Sequence, residues 1–173
     1  MSRLGSHTSG LSAPGPLILA MWCVIALLIY TFLKKKSTTV SSFNSNDIYL
    51  FLKKYGLSEE LSKYATAQAA FETKGFTSRL FKENNNAFGM KWAGQAIPIG
   101  EKNEYANYDS IEASCADFVS WWNKTRRNIF NLTLYTGSLS YYVRYLKINN
   151  YFTAPESDYL AGVISWYKKY FND

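Results

Sequence analysis

Histidine is all but missing from the 173-residue chain, whose single one, His7, stands near the N-terminus. A His-based metal centre and any Ser-His or Cys-His nucleophile in the folded part are thereby excluded, and with them most amidases and peptidases. Hydrolysis is left to carboxylate and tyrosine chemistry. Cysteine is scarce as well. Cys23 falls in an apolar run and Cys115 midway along an expected amphipathic helix, so no bridge and no redox framework is implied. No internal repeat is present, and Asn123-Lys124-Thr125 and Asn131-Leu132-Thr133 match a glycosylation pattern only at chance level.

What the chain has in quantity is aromatic rings, 17% of its residues with 14 Tyr, 11 Phe and 5 Trp, enough for a packed core with rings left over for ligand stacking. The net charge of +6 and a pI near 9.2 point to an anionic partner. Part of that excess is local, in Lys34-Lys35-Lys36, and it fits a cell wall or lipid surface as well as nucleic acid; no nucleic-acid role is expected.

The length allows one folded unit plus an appendage. Residues 1–14 read as a tail and residues 15–33 as an uncharged membrane helix, long enough at 1.5 Å per residue to cross about 30 Å of hydrocarbon and so to engage a lipid bilayer. No small-x-small cleavage site follows, which favours an uncleaved signal-anchor. Residues 34–46 form a basic, Ser/Thr/Asn-rich linker, and residues 47–173 the folded domain. The three lysines would keep that domain in the cytosol by the positive-inside rule, against the extracytoplasmic placement expected of it.

Within the domain, a short helix is expected from Asp47 to Tyr55, and a second, capped by Ser58, through Thr73. A helical turn follows near Ser78 to Glu83. Between Trp92 and Tyr108 the helical period lapses, and Gly94, Pro98, Gly100 and alternating Ile97 and Ile99 indicate a β-hairpin. Asp109 or Ser110 then caps a helix with the stripe Ile111, Cys115, Phe118, Trp122, and a last helix carries Tyr159, Val163, Trp166, Tyr170.

In the second helix Gln68 and Glu72 lie one turn apart on one face, and Ala65 and Ala69 keep that face slim. A half-desolvated carboxyl there has its pKa raised toward general-acid duty. By spacing alone, an exposed surface glutamate is the commoner outcome. The wider pattern AQAAFETKGFTSRLFKENNNAFGMKW resembles the glucosaminidase family of lysozyme-like peptidoglycan hydrolases, whose signature is AQ-x-x-x-E-S followed by N-N-x-F-G-I-K. The resemblance continues with Tyr105 to Ser110 (F-R-x-Y-x-S), Ser114 and Asp117 (S-x-x-D), Arg126-Arg127 with Phe130, and Asn150-Tyr151-Phe152-Thr153 with Tyr159 (G-Y-A-T-D-P-x-Y). It spans residues 63–170.

The resemblance implies a mainly α, lysozyme-like α+β fold with a small β-hairpin lobe, and an endo-β-N-acetylglucosaminidase that cleaves the glycan strands of peptidoglycan without metal or cofactor. Glu72 would be the general acid, and Glu101, with Glu104 as the near alternative, the second carboxylate that orients water or steadies oxocarbenium-like charge. Tyr151 would face the cleft and hold the 2-acetamido group or the attacking water. Gln68, Asn86, Phe88, Trp92 and Glu104 are candidate substrate contacts. Of these, Asn86 and Phe88, with Asn85 and Gly89, are expected first to shape the turn under the cleft floor, and Trp92 to stack on a sugar or on the core. The departures are Thr73-Lys74-Gly75 after the glutamate, Ala106 for the family arginine, Asn150 before Tyr151, and a short hairpin. Two alternatives share the fold: a wall-binding module without catalysis, and a muramidase or transglycosylase.

Overall fold

The computed structural model describes residues 43–127 and 137–171, with the side chains of Arg126 and Arg127 left aside. The chain divides into two compact units, residues 1–41 and 42–173. The expected tail, membrane helix and most of the linker therefore lie outside the described residues, among which no helix is long and apolar enough to cross a membrane.

The second unit is mainly helical with one two-stranded antiparallel sheet: α1 (Ser45–Lys54), α2 (Glu59–Glu72), α3 (Arg79–Asn84), β1 (Gly100–Lys102), β2 (Tyr105–Asn107), α4 (Ile111–Arg127), α5 (Leu139–Ile148) and α6 (Glu156–Phe171). Helix α1 begins two residues before the expected Asp47, because Asn44 and Asp47 form a reciprocal capping box. Ser58, Ser78 and Ser138 cap α2, α3 and α5 in the same way, each accepting a backbone N–H from the first turn. Ser110 Oγ accepts from Ala113 N at 3.1 Å, which decides the open choice of cap for α4.

Helix α2 runs through the centre and packs against α1 and α6. Nine of its residues, Leu61, Ser62 and Tyr64 through Ala70, are buried, so it has no polar face to speak of. Its hydroxyls are satisfied by its own backbone: Ser62 bonds Ser58 O at 2.8 Å and Thr66 bonds Ser62 O at 2.7 Å. Around it gather Ile48 and Leu52 from α1, Cys115, Phe118 and Trp122 from α4, Tyr142, Val143 and Leu146 from α5, and Tyr159 and Val163 from α6. Both expected stripes face this core, although Trp166 and Tyr170 at the end of the second are only half-buried.

The hairpin is shorter than its sequence indicates. Ile97 and Ile99 stand before the first strand, 38% and 65% exposed. Pairing runs only from Gly100↔Asn107 to Lys102↔Tyr105, closed by Asn103 and Glu104 with φ of 55° and 66°, the positive values a tight two-residue hairpin turn requires.

Candidate active site

Glu72 is the last residue of α2, directly after the buried run Tyr64 to Ala70 and the half-buried Phe71. The chain turns away at once. Thr73 Oγ1 bonds back to Ala69 O at 2.6 Å and accepts from Phe76 N at 3.0 Å, so the helix end and the following loop are tied by one hydroxyl. The Glu72 side chain is half-buried. Tyr159 from α6 donates its hydroxyl to Glu72 Oε1 at 2.5 Å, and Tyr159 is itself clamped by Phe152, stacked at 3.7 Å between centroids, and by Phe71, edge-on at 5.1 Å. Burial raises the Glu72 pKa above its ordinary 4.5, and the Tyr159 hydrogen bond opposes that shift in part.

The other oxygen, Oε2, faces Gly89. A Cβ on Gly89 would sit 3.2 Å from Oε2 and 3.7 Å from the carboxyl carbon, and the backbone there has φ of +64°. Glycine is thus required twice over, for conformation and for closeness. Gly89 also lines a cleft of about 560 Å³, a size typical of ligand sites, bounded on other sides by Asp117, Trp121 and Lys124 of α4 and by Asn150 and Tyr151. Glu72 itself is not part of the lining and lies beside Gly89, which is.

Tyr151, expected to face the cleft, does line it. Its hydroxyl donates to Phe88 O at 2.6 Å, and burial followed by the Glu72 carboxylate raises its pKa well above 10. Gln68 is fully buried behind the cleft. Its Oε1 accepts from Tyr142, while its Nε2 has no hydrogen-bond partner, although the amide is close enough to the Tyr151 oxygen to favour the anion slightly.

Asn86 and Phe88 are not placed to touch a sugar. Asn86 is fully buried, donating to Met90 O and Ala106 O at 2.9 and 3.0 Å and accepting from Phe88 N and Met90 N at 3.3 and 3.1 Å, so its amide is consumed by backbone. Phe88 is also fully buried, its ring stacked on Phe118 at 4.1 Å. Both hold the floor that carries Gly89, the role expected of them first. Trp92 is half-buried and does not line the cleft.

The hairpin glutamates are exposed and lie outside the cleft lining. Glu101 pairs across the sheet with Ala106, and Glu104 is held by Lys91 Nζ at 3.1 Å. The carboxylate that does line the cleft is Asp117. It is 4% exposed, accepts from the buried Tyr108 hydroxyl at 2.8 Å, and has its pKa raised by burial against that hydrogen bond. The sequence flagged Asp117 only as part of the S-x-x-D spacing and gave it no task. Trp121 was missed outright: it lines the cleft with its ring edge-on to Tyr151 at 4.8 Å. Successive residues on a helix point about 100° apart, so in the pair Trp121-Trp122 one ring reaches the core and its neighbour turns to the side.

Among the described residues no three His, Cys, Asp or Glu side chains gather as a metal site. One buried carboxyl, Asp117, and the rings of Trp121 and Tyr151 line the cleft, and the half-buried Glu72 carboxyl, its pKa raised by burial, lies beside Gly89 of the same lining. Residues 46–172 match the family model described as Glucosaminidase, mannosyl-glycoprotein endo-beta-N-acetylglucosaminidase. No curated protein and no solved structure matches the chain.

Proposed function

From the chain's membership of the glucosaminidase family, a family of glycan-cleaving hydrolases, we propose that it is an endo-β-N-acetylglucosaminidase that cuts the β-1,4 bonds of peptidoglycan glycan strands with Glu72 as general acid. The observation that carries this reading is the Glu72 carboxyl, raised in pKa by burial and packed against Gly89, whose backbone lines the 560 Å³ cleft. In that position a proton passes from Glu72 to the glycosidic oxygen as the bond to the anomeric carbon breaks. Asp117, on the cleft wall, is our choice for the group that steadies the developing positive charge, ahead of the exposed Glu101 and Glu104. Tyr151 offers its lone pairs to the water or to the 2-acetamido N–H, and Trp121 stacks on the sugar face.

The apolar residues 15–33 anchor the enzyme to a bilayer with the domain on the extracytoplasmic side, where its substrate is. Purified cell wall incubated with the full chain in detergent tests the activity. Wild type should release fragments with N-acetylglucosamine at the new reducing end, and Glu72→Gln should be slower by about 10² to 10⁴, the usual worth of a general acid. Intact wall after wild-type treatment, or equal clearance by Glu72→Gln, would overturn the reading.

A further inference from the structure

Among the described residues, Tyr159 makes the only hydrogen bond to Glu72, and Glu72 Oε1 is the only acceptor of the Tyr159 hydroxyl. Resting on the hydrolase reading above, we propose that Tyr159 is a positioning residue that fixes which oxygen of Glu72 carries the acid proton, reserving Oε1 as acceptor and leaving the proton on Oε2, the oxygen beside Gly89 of the cleft lining. A carboxylic acid has one O–H and one carbonyl oxygen. With the Tyr159 O–H aimed at Oε1, that oxygen must be the carbonyl, and Oε2, which faces the Cα of Gly89, carries the hydrogen. The opposite tautomer would turn the Tyr159 hydrogen away from its one acceptor inside a packed aromatic cluster, leaving a buried hydroxyl unsatisfied.

Tyr159 cannot easily follow a rotating carboxyl. It is 4% exposed, stacked on Phe152 and edge-on to Phe71, the residue directly before Glu72. In the reaction the Oε2–H bond breaks, the proton goes to the glycosidic oxygen, and the electron pair of the broken glycosidic bond stays on the leaving sugar as its hydroxyl. Glu72 is left as a carboxylate, and the hydrogen bond from Tyr159 strengthens as its acceptor becomes charged. Tyr159 thus acts twice, by orienting the acid and by stabilising its conjugate base, without touching substrate.

The titratable groups that face Glu72 are Tyr159 from α6 and Tyr151 from the α5–α6 connection, both held neutral by burial. Gln68 and Phe71 on its own helix and the Gly89 backbone add no charge. The pH dependence of the acid therefore reports the Tyr159 bond directly. Full-length wild type, Glu72→Gln, Tyr159→Phe and a variant with 3-fluorotyrosine at 159 are compared on purified wall from pH 4 to 9. Tyr159→Phe keeps both ring contacts. It should lose kcat by about 10- to 100-fold, the worth of one hydrogen bond to a charged group, with KM within about twofold, and its alkaline limb should move to higher pH because the carboxylate has lost a donor. The fluorinated ring, a better donor, should move the limb to lower pH. Active wild type and inactive Glu72→Gln with an unmoved limb in both Tyr159 variants would overturn the proposal, as would activity that falls only in step with melting temperature. Inactive wild type would count against the hydrolase reading instead, and ¹³C titration of the Glu72 carboxyl then decides Tyr159 alone: the same midpoint in wild type and Tyr159→Phe refutes it.

Discussion

Burial holds the Glu72 pKa above its ordinary 4.5, so the folded chain binds this proton more tightly than the unfolded chain does. Stability supplied by the protonated form is fully present below about pH 4.5 and is lost as pH rises through the folded value. Glu72→Gln keeps an acceptor for Tyr159 and never ionises. It should melt with wild type near pH 4 and above it at pH 7, and parallel melting curves across that range would show that the carboxyl bears no such load. By spacing alone Glu72 read as a surface glutamate, and it was the order of motifs after it, the Asn-rich turn through Tyr159, that singled it out. Asp117 was not singled out, since its burial depends on Tyr108, whose hydroxyl arrives from outside α4 and nine residues earlier. No local period encodes that contact.

Among the elements, α2 and α6 approach closely because Gly162 lies against the Phe71 ring: a Cβ on Gly162 would stand 2.2, 2.6 and 2.7 Å from three of its atoms. Gly162→Ala must displace that ring, which also braces Tyr159 edge-on. Overpacking of this kind costs about 1 to 3 kcal/mol, and the same shift disturbs the Tyr159–Glu72 bond, so melting temperature and kcat should fall together. An unchanged melting temperature would mean that the helices separate without cost. The loop before the hairpin depends likewise on one side chain. Asn86→Ala would remove four hydrogen bonds to backbone and leave Phe88 N and Met90 N without the acceptor its amide now supplies, a loss of at least about 2 kcal/mol measurable by urea unfolding, whereas a loss below about 0.5 kcal/mol would show that water replaces the amide. The start of α2 was readable from Ser58 and that of α4 from Asp109 or Ser110, because capping is local chemistry. Helix α5 escaped notice. Its buried Tyr142, Val143 and Leu146 carry the period, but flanking Tyr141 and Tyr145 blur it, since aromatic rings occupy the exposed and half-buried faces as well.

The whole unit closes on itself at Phe43. The buried core described runs from Ile48 to Val163, within residues 42–173. The ring of Phe43 nevertheless rests on Phe76 and Phe81, at 5.4 and 5.0 Å between centroids, and Asn44 supplies the capping box of α1. Phe43, four residues ahead of the expected 47, thus already packs on the folded unit. A chain cut to residues 42–173 should unfold in one transition, with a melting temperature within a few degrees of the full chain, and should cleave soluble wall fragments at the same rate. Cutting to 45–173 removes an aromatic contact worth about 0.5 to 1.5 kcal/mol beyond the area it buries, together with a cap worth about 0.5 to 2 kcal/mol. That shorter chain should therefore melt several degrees lower, by the usual conversion of about 2 to 8 °C per kcal/mol for domains of this size. Equal melting temperatures for the two fragments would place the start of the cooperative unit after Asn44, and a full chain markedly more stable than residues 42–173 would show that the N-terminal residues share in its fold.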